Sequence, residues 1–292
     1  MGVRAAVSAG VVAIALAVAG CGGGGEEPST EEVSPEVVAG AVAKTREAGG
    51  VQLRMRHTST NDAAEGKSTS ITGTGVMDLG YRLGSLKLDM RSLGPVTQQA
   101  TGERIDPSDF LGEIYVDNEK LYRRLPFITK AAGIRQSWIV SDGTEPTLGP
   151  GGVDFGHLPR INGNDLPQTF DDMTHLVDAK RYPDEHRTVA GVETTRHDAK
   201  VNIAETASGG EGFRSLTGST QYPVKVWIDE RGFARAVEWT VSNKVTTTDP
   251  NRLQNSRRTI HVTIERTGVR VPKERPPKND TIHQKKVGML GI

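Results

Sequence analysis

YPVKVWIDERGFARAVEWTV, residues 222–241, is the stretch that decides the fold. Tyr222, Val224, Val226 and Ile228 alternate with polar or outward positions up to Asp229-Glu230-Arg231-Gly232, after which Phe233, Val237, Trp239 and Val241 run back. An apolar period of two on both sides of a short connection, with Gly232 free to take the left-handed position, is the pattern of an antiparallel β-hairpin. Such a hairpin has one apolar face, and it needs neighbouring strands to extend that face into a core.

The same period recurs in both directions along the chain. Val51, Leu53, Met55 and His57 alternate with Gln52, Arg54 and Arg56. Ser68 to Leu79 is broken by Gly73 and Gly75, and Leu86, Leu88 and Met90 stand opposite Lys87, Asp89 and Arg91. Phe110 to Asp117 and Glu119 to Pro126 form a hairpin across Asp117-Asn118, and Ser137 to Ser141 is a further short strand. His186 to Val189 turns at Ala190-Gly191 and continues through Thr195, His197, Ala199, Val201 and Ile203; Ile260, Val262 and Ile264 mark the last strand. Asp142 to Asn164 and Glu205 to Thr220 show no period and are rich in turn-forming residues.

Two segments change to helical spacing. Ser34-Pro35-Glu36 supplies a capping hydroxyl, a proline at the first position and an acid at the positive end of the dipole; Val37, Val38, Ala41, Val42, Thr45 and Ala48 follow, and Gly49-Gly50 ends the helix. Asp165 with Gln168 reads as a capping box for a second helix, with Leu166, Phe170, Met173 and Val177 in one stripe. The expected fold is mainly β (α+β): a curled antiparallel sheet, or half-barrel, of about ten or eleven strands with two covering helices. Two helices are too few to fill the concave face of so wide a sheet, which implies an apolar hollow. Phe170, Met173, Trp227 and Trp239 are the candidates to line it, plain packing being the competing role for each.

The N-terminus sets the location. Arg4 precedes an apolar run from Ala5 to Ala19, 15 residues broken only by Ser8 and Gly10, and Val18-Ala19-Gly20-Cys21 closes it. That run is shorter than the roughly 17 to 25 residues that span a bilayer and reads as a secretory signal over residues 1–20. Cys21 is the only cysteine, so no internal disulfide exists. Residues 21–32, CGGGGEEPSTEE, hold nothing to bury and read as a flexible tether reaching on the order of 18 Å. The β domain then occupies residues 33–267. A basic tail over residues 268–292, with Arg270, Lys273, Arg275, Lys278, Lys285 and Lys286, is expected to be unstructured.

Charge and motif exclude several function classes. The chain holds 36 basic and 36 acidic residues, so no net field favours nucleic acid. Neither a phosphate-binding loop nor a Gly-x-Ser-x-Gly elbow is present, and Gly73-x-Gly75 lacks the third glycine of a dinucleotide turn. The seven histidines show no metal spacing; His57, His197 and His261 fall in strands and read as packed or surface residues. Asp171-Asp172 reads as a solvated helix face and Asp229 as a turn residue. No catalytic residue, metal or cofactor is expected.

Two resemblances carry the function. Val18 to Cys21 resembles the lipobox of bacterial lipoproteins, which implies acylation of Cys21 and attachment to membrane lipids on the extracytoplasmic face of the cell membrane. EIYVDNEKLYRRLP with SWIVSD, RTVAGVETTRHDAKVNI, and YPVKVWIDERGFARAVEWTV are together similar to blocks of the actinobacterial lipoproteins with a LolA/LolB-like half-barrel, the LppX and LprG type. Gly191, Val192, Thr194, Thr195, Val224, Val226, Trp227, Asp229 and Gly232 match, whereas Arg196 and His197 stand where that family has His and Tyr. The resemblance implies non-enzymatic binding or transfer of lipid or lipidated molecules, with an acyl chain or glycolipid as ligand. The alternative is a regulatory or scaffold lipoprotein similar to RseB, with an envelope or membrane protein as partner.

Overall fold

A computed structural model describes residues 29–61, 68–95, 105–118, 120–142, 166–206, 214, 217–245 and 254–288. The signal segment, Cys21, Asp165 and most of the stretch from Asp142 to Asn164 lie outside the described residues.

The alternating segments assemble into one open sheet. In chain order its strands are β1 (Glu31–Glu32), β2 (Gly50–Asn61), β3 (Ser68–Asp78), β4 (Leu83–Asp89), β5 (Leu111–Asp117), β6 (Lys120–Arg124), β7 (Trp138–Asp142), β8 (Leu176–Val189), β9 (Val192–Asn202), β10 (Gln221–Asp229), β11 (Ala234–Val245), β12 (Gln254–Thr267) and β13 (Thr281–His283). Their order in space is β1-β8-β9-β10-β11-β12-β2-β3-β4-β5-β6-β7-β13. Two meanders, β2 to β7 and β8 to β12, are thus joined where β12 pairs with β2, from Thr267 opposite Val51 to Ser256 opposite Asn61. Every pairing is antiparallel except that of β13 with β7.

The hairpin of residues 222–241 is built as β10 and β11. Gly232 takes φ 77°, and Asp229 accepts the N–H of Phe233 at 2.8 Å, which fixes the turn. Trp227 pairs with Ala236 but Ile228 with Ala234, so the register shifts around Arg235. In the β5–β6 turn Asn118 adopts φ 56°, a conformation asparagine tolerates better than most side chains.

Among the described residues four α-helices accompany the sheet: α1 (Pro35–Glu47), α2 (Pro126–Ala131), α3 (Leu166–Asp172) and α4 (Gln284–Gly288). α1 lies against β8, β9, β10, β11 and α3, burying Val38, Ala41, Val42 and Thr45. Arg46 of α1 and Asp171 of α3 form an ion pair at 2.8 Å that ties the two helices together.

Several features depart from expectation, each for a local reason. The strands number thirteen rather than ten or eleven because both outermost strands come from segments assigned to tether and tail. Glu31 and Glu32 pair in the strand ladder with Arg181 and Lys180 at the β8 edge, and Arg181 adds an ion pair to Glu31 at 3.3 Å. Residues 268–288 are ordered: Val269 N–H bonds Gly50 O at 2.9 Å, Arg275 pairs with Asp117, and Asp280 accepts the N–H of Ser137 at 2.8 Å. β13 then covers the edge that β7 would otherwise expose. Two helices beyond the expected pair follow Pro126 and end the tail. The stripe Leu166, Phe170, Met173, Val177 does not lie on one helix, since α3 ends at Asp172 and Val177 belongs to β8. Ser34 does not cap α1 with its side chain; its hydroxyl bonds the Glu36 carboxylate instead.

Candidate functional site

The strand period of two sends one set of side chains to a common inner face. Val51, Leu53 and Met55 of β2, Met77 of β3, Leu86 and Leu88 of β4, and Ile114 and Val116 of β5 lie in one buried cluster. Val224 and Val226 of β10, Trp239 of β11 and Ile260, Val262 and Ile264 of β12 belong to that same cluster. It draws on ten strands, β2 to β6 and β8 to β12, with α1 and α3 closing it over the β8 to β11 side. Four of the six methionines, Met55, Met77, Met90 and Met173, are in it. An unbranched thioether adapts its shape to what it packs against more readily than leucine or isoleucine does.

Three of the four residues singled out from sequence meet here. Phe170 and Met173 are fully buried, and Trp239 is 1 % exposed; all three pack in the inner cluster. Trp227 does not join them. It sits on the outer face of β10 with Val189 and Ala236, because position 227 is of opposite parity to 226 and 228. There the Arg187 guanidinium lies 5.0 Å from its ring centre and 3.3 Å from His261 Nε2. Three strands separate β8 from β12 in the sheet, so this contact requires the β8–β9 hairpin tip to bend over the outer face. The two register shifts in β8 supply the bend.

Among the described residues, two buried side-chain nitrogens of the inner face have no partner. His57 faces inward between Ile260 of β12 and Ile71 of β3, and its Nε2 is buried with no hydrogen bond. Burial, reinforced by the nearby Arg258 guanidinium, draws its pKa down to about 4, so the ring is neutral. At the other flank Arg123 of β6 points inward opposite Ile114 of β5 and Ile139 of β7. Its Nη2 donates to Ser141 Oγ at 3.1 Å and to Gln284 Oε1 of α4, while its Nε has no acceptor. Sequence reasoning passed over Arg123. Two adjacent arginines in a strand point to opposite faces, and that was the available signal.

The other residues weighed from sequence have structural partners. Asp229 accepts from Phe233 N–H and, at 2.7 Å, from Arg235 Nε, consistent with a turn residue. Asp172 is 3 % exposed and accepts from Gln168 Nε2 at 3.0 Å, so the expected solvated face holds only for its neighbour Asp171. His197 Nδ1 lies 3.2 Å from Thr195 O. Among the described residues no three His, Cys, Asp or Glu side chains are grouped to hold a metal ion, and no helix is long and apolar enough to cross a membrane.

Three open clefts are lined by described residues at the rim and on the outer face. One of about 1000 Å³ runs between the sheet rim at Gly50, Asp78 and Leu83 and the chain at Val269 to Glu274. Two others, of about 530 and 510 Å³, are on the outer face of β10, β11, β12 and β2.

No protein-family model and no curated protein matches the chain. Solved structures are similar to it at low identity. LprF from Mycobacterium bovis is 12% identical, with 84% of this chain and 99% of that one covered, at a TM-score of 0.37. A LolA superfamily protein from Nitrosomonas europaea is 8% identical over 83% of this chain and 96% of that one, at a TM-score of 0.27.

Proposed function

We propose that the protein is a lipoprotein, anchored through an acylated Cys21 on the extracytoplasmic face of the membrane, which binds the acyl chains of lipid or lipidated molecules against the inner face of its sheet and performs no chemistry on them. The observation that supports this reading is the single buried apolar cluster to which ten strands contribute, with Met55 and Met77 on strands that α1 does not cover. A chain of sixteen carbons gains roughly 13 kcal/mol from burial at about 0.8 kcal/mol per methylene. That gain is nearly the same in a bilayer and on a dry protein face, so exchange between them is close to balanced and needs no reactive group. Tethering supplies proximity, and the adaptable methionines make room for chains of different length.

The experiment has two arms. Mass spectrometry of organic extracts from the mature chain carrying Cys21→Ser, purified without detergent, is expected to show stoichiometric acyl species. Their absence, together with failure of the purified protein to take up a fluorescent fatty acid, would refute binding. Labelled palmitate is expected to enter the wild-type protein and not the Cys21→Ser variant; equal labelling would refute the anchor.

A further inference from the structure

Arg123 and Arg235 are both buried arginines of the same sheet, 7 % and 4 % exposed, and they are provided for differently. Arg235 has the Asp229 carboxylate at 2.7 Å. Arg123 has only a serine hydroxyl and a glutamine amide oxygen, both neutral, and among the described residues no carboxylate pairs with it. A guanidinium in apolar surroundings is strongly disfavoured unless an anion accompanies it, and a methionine or leucine of similar volume would serve the fold better there. Burial alone pulls its pKa down to about 10, which still leaves it charged. The inner face therefore holds a full positive charge, flanked by Ile114 and Ile139, with an Nε–H that donates to nothing.

We infer that Arg123 receives the anionic head group, carboxylate or phosphate, of an amphiphile whose chain lies along the inner face. The planar fork of a guanidinium matches both groups in bidentate geometry. Four strand spacings of about 4.8 Å separate β6 from β2, so a head group at Arg123 lays its tail along the row opposite it in register, over Ile114, Leu86, Gly75 and Leu53. Gln284 Oε1 stands where the anion would sit against the guanidinium. It sits at the start of α4, just after β13, and β13 is held to β7 through only three residue pairs, Thr281 with Trp138 to His283 with Val140. An incoming head group displaces the Gln284 side chain at the start of α4 rather than any part of the main sheet.

The inference rests on the acyl-chain reading above, and the test separates the two. Dissociation constants for palmitate and for methyl palmitate are measured at pH 7.4 by titration calorimetry on the mature, delipidated chain. Because a hydrogen bond to a charged group is worth more than one to a neutral ester, palmitate is expected to bind at least about tenfold more tightly. In Arg123→Met that preference is expected to fall to near one, with methyl palmitate affinity and the thermal midpoint unchanged or raised. Equal affinity of the wild-type protein for acid and ester would overturn the head-group site while leaving chain binding intact, and this comparison needs no variant. Failure of both to bind would overturn both readings. Inorganic phosphate is the remaining arm: if it protects against thermal unfolding while palmitate shows no advantage over its ester, the site takes free anions and the amphiphile assignment falls.

Discussion

The Thr45 hydroxyl of α1 accepts a hydrogen bond from the backbone N–H of Ala234 at 2.9 Å, directly after the β10–β11 turn. The same oxygen donates back to Ala41 O at 3.0 Å or Ala234 O at 3.2 Å, so one fully buried side chain satisfies a strand terminus and fastens the covering helix to it. Thr45→Val keeps the shape and removes the acceptor. It leaves the Ala234 N–H buried without a partner and is expected to cost about 1–3 kcal/mol in urea denaturation. Thr45→Ser, which keeps the hydroxyl, is expected to lose markedly less.

Asp229 and Arg235 are expected to behave as a unit. Their side chains are 1 % and 5 % exposed, and Arg235 also stacks on Phe233 with its guanidinium 5.6 Å from the ring centre. Arg235→Met leaves the Asp229 carboxylate beside the register shift with only the exposed Arg231 at 3.9 Å as a counter-charge and should cost about 3 kcal/mol. Adding Asp229→Asn to that variant removes the stranded charge while keeping an acceptor for Phe233 N–H, so the double variant is expected to be more stable than Arg235→Met alone. Chemical denaturation of the four proteins in the cycle measures this coupling.

What the sequence made legible was whatever depends on a repeated period. β10 and β11, the run Val51 to His57, and the turns at Asn118 and Gly191 all follow from alternation and from residues that tolerate positive φ. β1 and β13 were not legible, since two or three residues show no period and both strands exist through pairing with chain far away in sequence. α3 was half legible. Its apolar positions stood out, but its length is set by the strand that starts at Leu176. Trp227 and Trp239 looked equivalent as large apolar side chains, whereas counting parity through the hairpin places them on opposite faces. The same count applied to Arg123-Arg124 puts one arginine inside; expectation that charge stays outside hid it.

Glu238 gives the outer face a defined acid dependence. The His261 imidazole beside it, with Nδ1 at 3.7 Å, and the Lys225 ammonium at 3.1 Å outweigh burial and hold its pKa down at about 2, against an ordinary value of 4.5. A depressed carboxyl pKa means the unfolded chain binds the proton first. The contribution is therefore present above pH 4.5 and lost as the pH falls from there towards 2. Glu238→Gln is expected to flatten the urea midpoint against pH in that window and to leave the shape of the curve above pH 5 unchanged. A parallel loss of stability at every pH would mean that packing, rather than charge, is the role of this side chain.

His57 reports on the inner face in a different window. Its folded pKa of about 4 lies below the ordinary 6.5, so protonation favours the unfolded chain, and stability is lost as pH falls from 6.5 towards 4. The ring stands between Ile260 and Ile71, and its Nε2 makes no hydrogen bond. His57→Phe removes both the titration and a buried polar atom that has no partner, whose desolvation is of order 1–3 kcal/mol. The variant is expected to be at least as stable as wild type at pH 7 and clearly more stable at pH 5, with urea midpoints at the two pH values as the measurement. If the phenyl variant is instead weaker by more than about 1 kcal/mol at pH 7, a difference larger than an ordinary volume-conserving swap, then Nε2 has a partner in solution. The inner face would then be a structural polar network, and the acyl chain would have to avoid β2 altogether.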